Sequence, residues 1–560
     1  MKKFLFTFSS VAILVLLFTV SCQTPSPTLW DLANKNKELL KVSTIFTAQD
    51  VRDKLSTNSG LDSAITWCKN AGITRVFIES FRNGYTAEQG TLINARDQFK
   101  KAGIEPSGCV TTTRMGKFSS AGSTVSCYTS EKTHKELERI FRYTAALFDI
   151  IMIDDFLFTT CECEECQEAK GDLSMAEYRC NLMNEVSKEY ILKPAKAVNP
   201  NVKVIIKYPL WYDSFHDRGY EVLGETESYD IIWVGTETRD NDFVNNTPGL
   251  NKPQYGAYFI MRWLGEIGGD KTGGGWFDAL GTTSKTYLEQ ARQTVLADAK
   301  EMMLFSYGGL NRASNTYGRR HGTGIADIEA LKVELPGLFE LAALVNNKPI
   351  IGVHTVKPAN SDPHCDLDPE RTFSGNDADA YIYDFIGMIG IPLVPSEKIN
   401  TEAEATFFSV QALKDPMFRE KLLSLLDRKV PVLITDELAA CLKDLDHYDN
   451  LTVLNVNVDP RNILRFDRKE LNLIRNKLLA PFGIRFDAPA MVALYLIGED
   501  LIVIENFSDQ ETSASIDMGK PIEAEIQLTL PKDVEVVSNF TGNTLDFNNI
   551  PPRTLVAITY

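Results

Sequence analysis

Between residues 39 and 346, short apolar runs alternate with longer amphipathic stretches of helical period. Runs such as Ile150-Ile151-Met152-Ile153 are apolar and β-branched without polar interruption, as expected of parallel strands buried on both faces. The pattern predicts strands at 41–46, 74–80, 104–111, 150–155, 202–208, 230–236, 255–263 and 302–307, with helices at 87–102, 131–147, 175–198 and 284–300. Eight strand-helix units over about 300 residues have the count and length of a (β/α)8 TIM barrel. An open doubly wound sheet is the alternative, and no Gly-rich phosphate fingerprint follows the first strand. Gly273-Gly274-Gly275 opens no obvious helix and reads as flexible loop.

Two further patterns follow. Residues 347–485 alternate strands and helices again, with strands at 350–355, 393–394 and 430–435 and helices at 378–389 and 416–427, which predicts a doubly wound α/β domain. Residues 486–560 switch to short strands separated by turn residues, which predicts a small C-terminal β-sandwich.

The N-terminus has a different logic. Lys2 and Lys3 precede an apolar run from Phe4 to Val20, then Ser21-Cys22 and a Pro/Ser/Thr-rich stretch. A basic start, a short apolar core and a small residue form an export signal. The order resembles bacterial lipoprotein signals, which implies that 1–21 is removed, that Cys22 is lipidated, and that 22–38 tethers the body to a membrane, expected to be the outer one of the cell envelope. An uncleaved anchor is the alternative, although the run is at the short end of the ~20 residues that a span needs.

Composition narrows the chemistry. A formal charge of -17 excludes a basic stripe for nucleic acid and suits neutral or cationic ligands. The histidines show no H-E-x-x-H spacing, and neither a G-x-S-x-G elbow nor a P-loop occurs.

Carboxylates at strand ends remain. The fourth predicted strand stops at Asp154-Asp155, the sixth at Glu237, and Glu266 and Asp278 lie just past the seventh. Barrel enzymes keep their chemistry at the C-terminal ends of the strands. Two acids across a scissile bond are what glycoside hydrolysis requires. Adjacent strand residues face opposite sides, so one of Asp154 and Asp155 points straight into the mouth. We assign Asp155 as nucleophile and Glu237, on a strand rich in apolar residues, as acid/base, with Asp154 and Glu266 as further catalytic candidates. The competing reading pairs these acids with Lys207, Arg239 or Arg262 as structural ion pairs. Trp211, Trp263 and Trp276, near strand ends or in the glycine-rich loop, are candidate stacking platforms for a sugar, with Arg262 and Asp278 as polar binding groups. A glycan-binding lipoprotein without catalysis is the rival function.

Cys161-Glu162-Cys163-Glu164-Glu165-Cys166 follows the acids directly, and its C-x-C-x2-C spacing suits a metal better than disulfides. With Cys109 on the third predicted strand, this run resembles the cysteine cluster of the family forty-two glycoside hydrolases, the β-galactosidases with a trimerisation domain. The order of barrel, α/β domain and small β domain is similar to theirs. The resemblance implies an oligo- or polysaccharide substrate and a homo-oligomer such as a trimer. It also implies a structural zinc on Cys109, Cys161, Cys163 and Cys166 and no organic cofactor. The catalytic motif departs from that family, whose acid/base is a glutamate after asparagine where this chain has Asp154-Asp155.

Overall fold

A computed structural model describes residues 27–239, 252–317, 320–360, 364–365, 368–372, 379–457 and 459–560. The signal segment and Cys22 lie outside the described residues. The stretch expected to be a tether is helical from Leu29 to Asn36, capped by Thr28, and its Leu29 and Trp30 pack on the core of the barrel.

Eight parallel strands close a barrel: β1 (Lys41–Phe46), β2 (Arg75–Arg82), β3 (Glu105–Val110), β4 (Ile150–Ile153), β5 (Lys203–Tyr208), β6 (Ile231–Gly235), β7 (Thr272–Asp278) and β8 (Glu301–Phe305). Each strand pairs with the next, and β1 pairs with both β2 and β8. The interior is plugged by one apolar side chain from each strand in turn, Ile45, Phe77, Cys109, Met152, Ile205, Trp233, Trp276 and Met303. Because side chains alternate along a strand, the residues two positions on also face inward. From β2 to β8 they are Glu79, Thr111, Asp154, Lys207, Gly235, Asp278 and Phe305, a mostly polar layer at the C-terminal mouth.

The seventh strand corrects the sequence reading. Residues 255–263 are not a strand but part of the helix Tyr255–Gly268, and the glycine run expected to be a loop is β7 itself. The helix packs on its barrel neighbours and on the α/β domain, so it is apolar nearly all round and its helical period is hidden. The glycines of β7 are needed by packing: a Cβ on Gly273 would lie 2.8 Å from the Trp233 indole nitrogen, and one on Gly274 would lie 2.4 Å from the Glu301 carbonyl oxygen.

Beyond the barrel, β9 (Val353–Val356), β10 (Leu393–Ser396), β11 (Thr406–Phe408), β12 (Val432–Thr435) and β13 (Leu451–Leu454) form a parallel sheet in the order β10-β9-β11-β12-β13. Two antiparallel sheets follow, and their facing residues build a core of their own. The short strand Ile350–Ile351, directly after the last barrel helix, pairs with Val492–Ile497 of this sandwich. The chain thus touches the last unit before it builds the middle one.

Candidate active site

The inward polar layer sorts the acids. Asp154 is closed to solvent and accepts from Lys207 Nζ at 2.6 Å, from the Arg82 guanidinium, and from Thr111 Oγ1 at 3.2 Å. Burial opposes its charge, but Lys207 and Arg82 hold it well below the usual carboxylate range. Arg82 also binds Glu79, which takes the amide of Ala48 at 2.7 Å. The Lys207 ammonium lies 3.9 Å from the centroid of the Trp276 ring. Asp154, Lys207, Arg82 and Glu79 are therefore a compensated cluster capping the apolar plug.

The acid aimed into the barrel is thus Asp154, where the sequence reading favoured Asp155; Asp155 is the next residue, past the end of β4, half-buried and with its neighbour's charge beside it. Burial, then Asp154, push its carboxyl up to about 6. Glu237, two residues past β6, is buried, and among the described residues its Oε2 has no hydrogen-bond partner. Gly235 makes room for it, because a Cβ there would lie 2.5 Å from that oxygen. Burial pushes Glu237 up to about 7 against the Arg239 guanidinium, with the charges of Asp155 and Asp278 adding to the rise. Arg239 is itself occupied, donating from Nη2 to Asp278 Oδ2 at 2.8 Å and from Nε to Oδ1 at 3.2 Å. Two carboxyl groups on the loops after β4 and β6, with Glu237 feeling the charge of Asp155 and both raised toward neutrality, have the electrostatics of an acid/base pair.

The expected sites separate accordingly. Trp211 stands half-buried at the mouth after β5, beside Phe158 and Tyr220. Trp276 is in the barrel plug and not in a loop. Glu266, Arg262 and Trp263 are on the outer helix, away from the mouth. Glu266 Oε2 accepts from the Glu397 amide at 3.2 Å, Arg262 donates to the Leu296 carbonyl at 3.1 Å, and buried Trp263 donates to the Lys357 carbonyl at 2.7 Å. Glu266 borders a cleft shared with Asp298, Lys300 and Asn347, which lie at the opposite end of the barrel strands. Of the ion pairs considered from sequence, Lys207 with Asp154 and Arg239 with Asp278 form. The sequence reading missed Lys252, whose buried ammonium sits 2.6 Å from the Tyr381 ring centroid of the α/β domain. The lysine follows no motif, and only the packing of the two domains places it there.

The cysteine cluster is real but differently composed. Cys127, Cys161, Cys163 and Cys166 bring their sulfurs within 4.8 Å of one another, and Cys109 is in the barrel plug. Strand alternation aims Cys109 inward. Cys127 ends the hairpin Phe118–Ser119 and Gly122–Ser126, which follows β3 and carries it over the β4 loop. The signal for Cys127 was its place just after this hairpin, facing the C-x-C-x2-C loop. Sulfur separations of 3.8 Å (Cys127 to Cys163), 3.7 Å (Cys127 to Cys166) and 3.7 Å (Cys163 to Cys166) match the ~3.8 Å edge of a tetrahedron with ~2.3 Å metal–sulfur bonds. Lys117 Nζ lies 3.4 Å from Cys163 Sγ, and the Ser120 amide 3.5 Å from Cys161 Sγ, donors suited to thiolate charge.

Three comparisons bear on this arrangement. A family model described as the probable glycosyl hydrolase catalytic domain matches residues 28–331, which include all eight barrel strands, Asp155, Glu237 and the four cysteines. An uncharacterized protein of Saccharolobus solfataricus is 26% identical over 376 residues, covering 59% of this chain and 56% of that protein. The match thus spans little more than half of that relative's length. The apo exo-carrageenase GH42 from Bacteroides ovatus superposes with a TM-score of 0.50 at 11% identity, covering 93% of this chain and 79% of the other, which is a likeness of fold. With more than half of its length matched, the chain belongs to the family of probable glycosyl hydrolases, through their catalytic domain.

Proposed function

We propose that the protein hydrolyses an O-glycosidic bond in an oligo- or polysaccharide, with Glu237 as acid/base and Asp155 as nucleophile. The observation that carries this reading is the buried, unpartnered Oε2 of Glu237 at the mouth, raised to about 7 and electrostatically coupled to Asp155. In the first step the Glu237 proton passes to the leaving oxygen while Asp155 attacks the anomeric carbon. In the second, Glu237 as carboxylate takes a proton from water, which releases the sugar from Asp155. After burial, the fixed negative charge of Asp154 raises the affinity of Asp155 for a proton, against Lys207 and Arg82. A panel of aryl glycosides tests the reading: the wild type should turn over at least one, Asp155→Asn and Glu237→Gln should each lose orders of magnitude, and a good leaving group should rescue only Glu237→Gln. Wild-type inactivity across the panel, with glycan binding retained, would hand the protein to the non-catalytic alternative.

The four-cysteine centre holds a structural zinc in this reading, since four thiolates at tetrahedral spacing are a closed zinc site. It would fix the hairpin after β3 to the loop that carries Asp155, and it takes no part in the reaction. Export and lipidation at Cys22 complete the proposal, with the body held at the cell envelope. The wild type should then partition into detergent and Cys22→Ala should not. Homo-oligomers formed through the α/β segment are expected, and light scattering at micromolar concentration checks them.

A further inference from the structure

Arg218 ends the short helix Phe215–Arg218 in the loop after β5, and Gly219, at φ 90°, turns the chain away in the left-handed region. Its guanidinium lies 4.5 Å from the centroid of the Trp211 ring and 5.6 Å from that of Phe158. A guanidinium lying on an aromatic face keeps its N–H donors directed outward in its own plane, in the fork that suits a two-oxygen anion. Among the described residues, the Arg218 side chain donates to no acceptor and pairs with no carboxylate. Of the two acids that share a cavity with Arg218, Glu162 is paired with Arg179 at 2.9 Å, and Asp217 is half-exposed to solvent.

Arg218 borders an open cavity of about 490 Å³ with Ser120, Thr160, Glu162, Arg179 and Asp217, walled by the loops after β3, β4 and β5. The walls are held together. The Thr159 amide donates to the Arg218 carbonyl at 2.9 Å, the Glu162 amide to Ser120 Oγ at 2.8 Å, and the Ser120 amide to Cys161 Sγ of the cysteine centre. The cavity opens on the same C-terminal side of the barrel as the candidate nucleophile, because Arg218 lies against Trp211, just past β5, and Phe158, three residues after Asp155 in the β4 loop. A chain of formal charge -17 repels an acidic polymer at long range, so recognition of one needs a local, oriented cation.

We propose that this cavity is a subsite for an acidic sugar, in which Arg218, laid on Trp211, takes the oxyanion of a uronate or a sulfate ester on the same face of the barrel as the bond cleaved at Asp155 and Glu237. The proposal rests on the saccharide reading and names the class of substrate. Calorimetry on the full-length protein tests it with three probes: an oligogalacturonate, a sulfated galacto-oligosaccharide and a neutral galacto-oligosaccharide. The wild type should bind one acidic probe more tightly than the neutral one, and which acidic probe wins distinguishes carboxylate from sulfate. Arg218→Met should weaken that probe by about tenfold or more, the loss of charge-assisted hydrogen bonds, and change the neutral one by no more than about twofold. Arg218→Lys should fall between, and it carries the test if the methionine variant does not fold. No acidic preference in the wild type, or equal losses on all three probes, overturns the subsite. Acid-selective binding without hydrolysis of any probe would sink the hydrolase reading and keep the subsite. Hydrolysis whose charge preference ignores Arg218 would do the reverse.

Discussion

Lys207 donates from Nζ to Oδ1 of Asp154 across 2.6 Å, with both side chains closed to solvent. The pair sits on the apolar plug of the barrel, and Arg82 holds the other Asp154 oxygen. Of two consecutive aspartates, one is thereby committed to structure and the other, Asp155, is left outside the ion-pair cluster.

Removing one member of this pair leaves an uncompensated buried charge. Lys207→Met and Asp154→Asn should each destabilise the barrel by about 3–5 kcal/mol. The double variant should lose less than the sum. Denaturant unfolding followed by tryptophan fluorescence measures this. A loss below about 0.5 kcal/mol in both single variants would show that the pair is not needed.

The pH–rate profile should be narrow. In the proposed mechanism Asp155 works ionised, with its carboxyl pushed up to about 6, and Glu237 works protonated, with its carboxyl pushed up to about 7. Turnover should rise through the first value, fall through the second and peak between them. Any activity left in Glu237→Gln, assayed with a good leaving group, should keep the acid limb and lose the alkaline one. A profile flat from pH 5 to 9 in the wild type contradicts the assignment.

Stability should carry the same signature with the opposite use. Burial raises Glu237 from the ordinary glutamate range of about 4.3 to about 7, so between these values the native state keeps a proton that the unfolded chain has lost. Its contribution is fully present below pH 4 and is lost as pH rises through 7. Glu237→Gln should therefore match the wild type near pH 4 and exceed it at pH 8, by up to about 3 kcal/mol. Thermal melts at the two pH values decide the point, and a variant less stable at both would mean that the carboxylate has a partner.

The cysteines give a swap test. Cys127→Ser should abolish metal retention, whereas Cys109→Ser, in the barrel plug, should leave it intact. Elemental analysis should find about one zinc per chain in the wild type. Equal metal content in Cys127→Ser and wild type would refute the site.

The apolar runs within β2, β4, β5, β6 and β8, alternating with helical stretches, point to a (β/α)8 barrel from sequence alone, because parallel strands covered on both faces leave runs of apolar residues. The same logic placed Asp155 and Glu237 at strand ends, and the C-x-C-x2-C spacing marked three of the four cysteines. Tertiary structure decided the rest. The helix Tyr255–Gly268 is buried nearly all round by the α/β domain and its barrel neighbours, which erases its period, and β7 is written in glycines because Trp233 and Glu301 crowd it. That exchange moved Glu266, Arg262 and Trp263 off the mouth. Strand alternation, invisible until the register is known, turned Cys109 into the plug and Asp154 onto Lys207. Cys127, Lys252 and Arg218 belong to no motif: loops brought across one another by packing give them their neighbours, and local sequence does not encode contacts between segments so far apart in the chain.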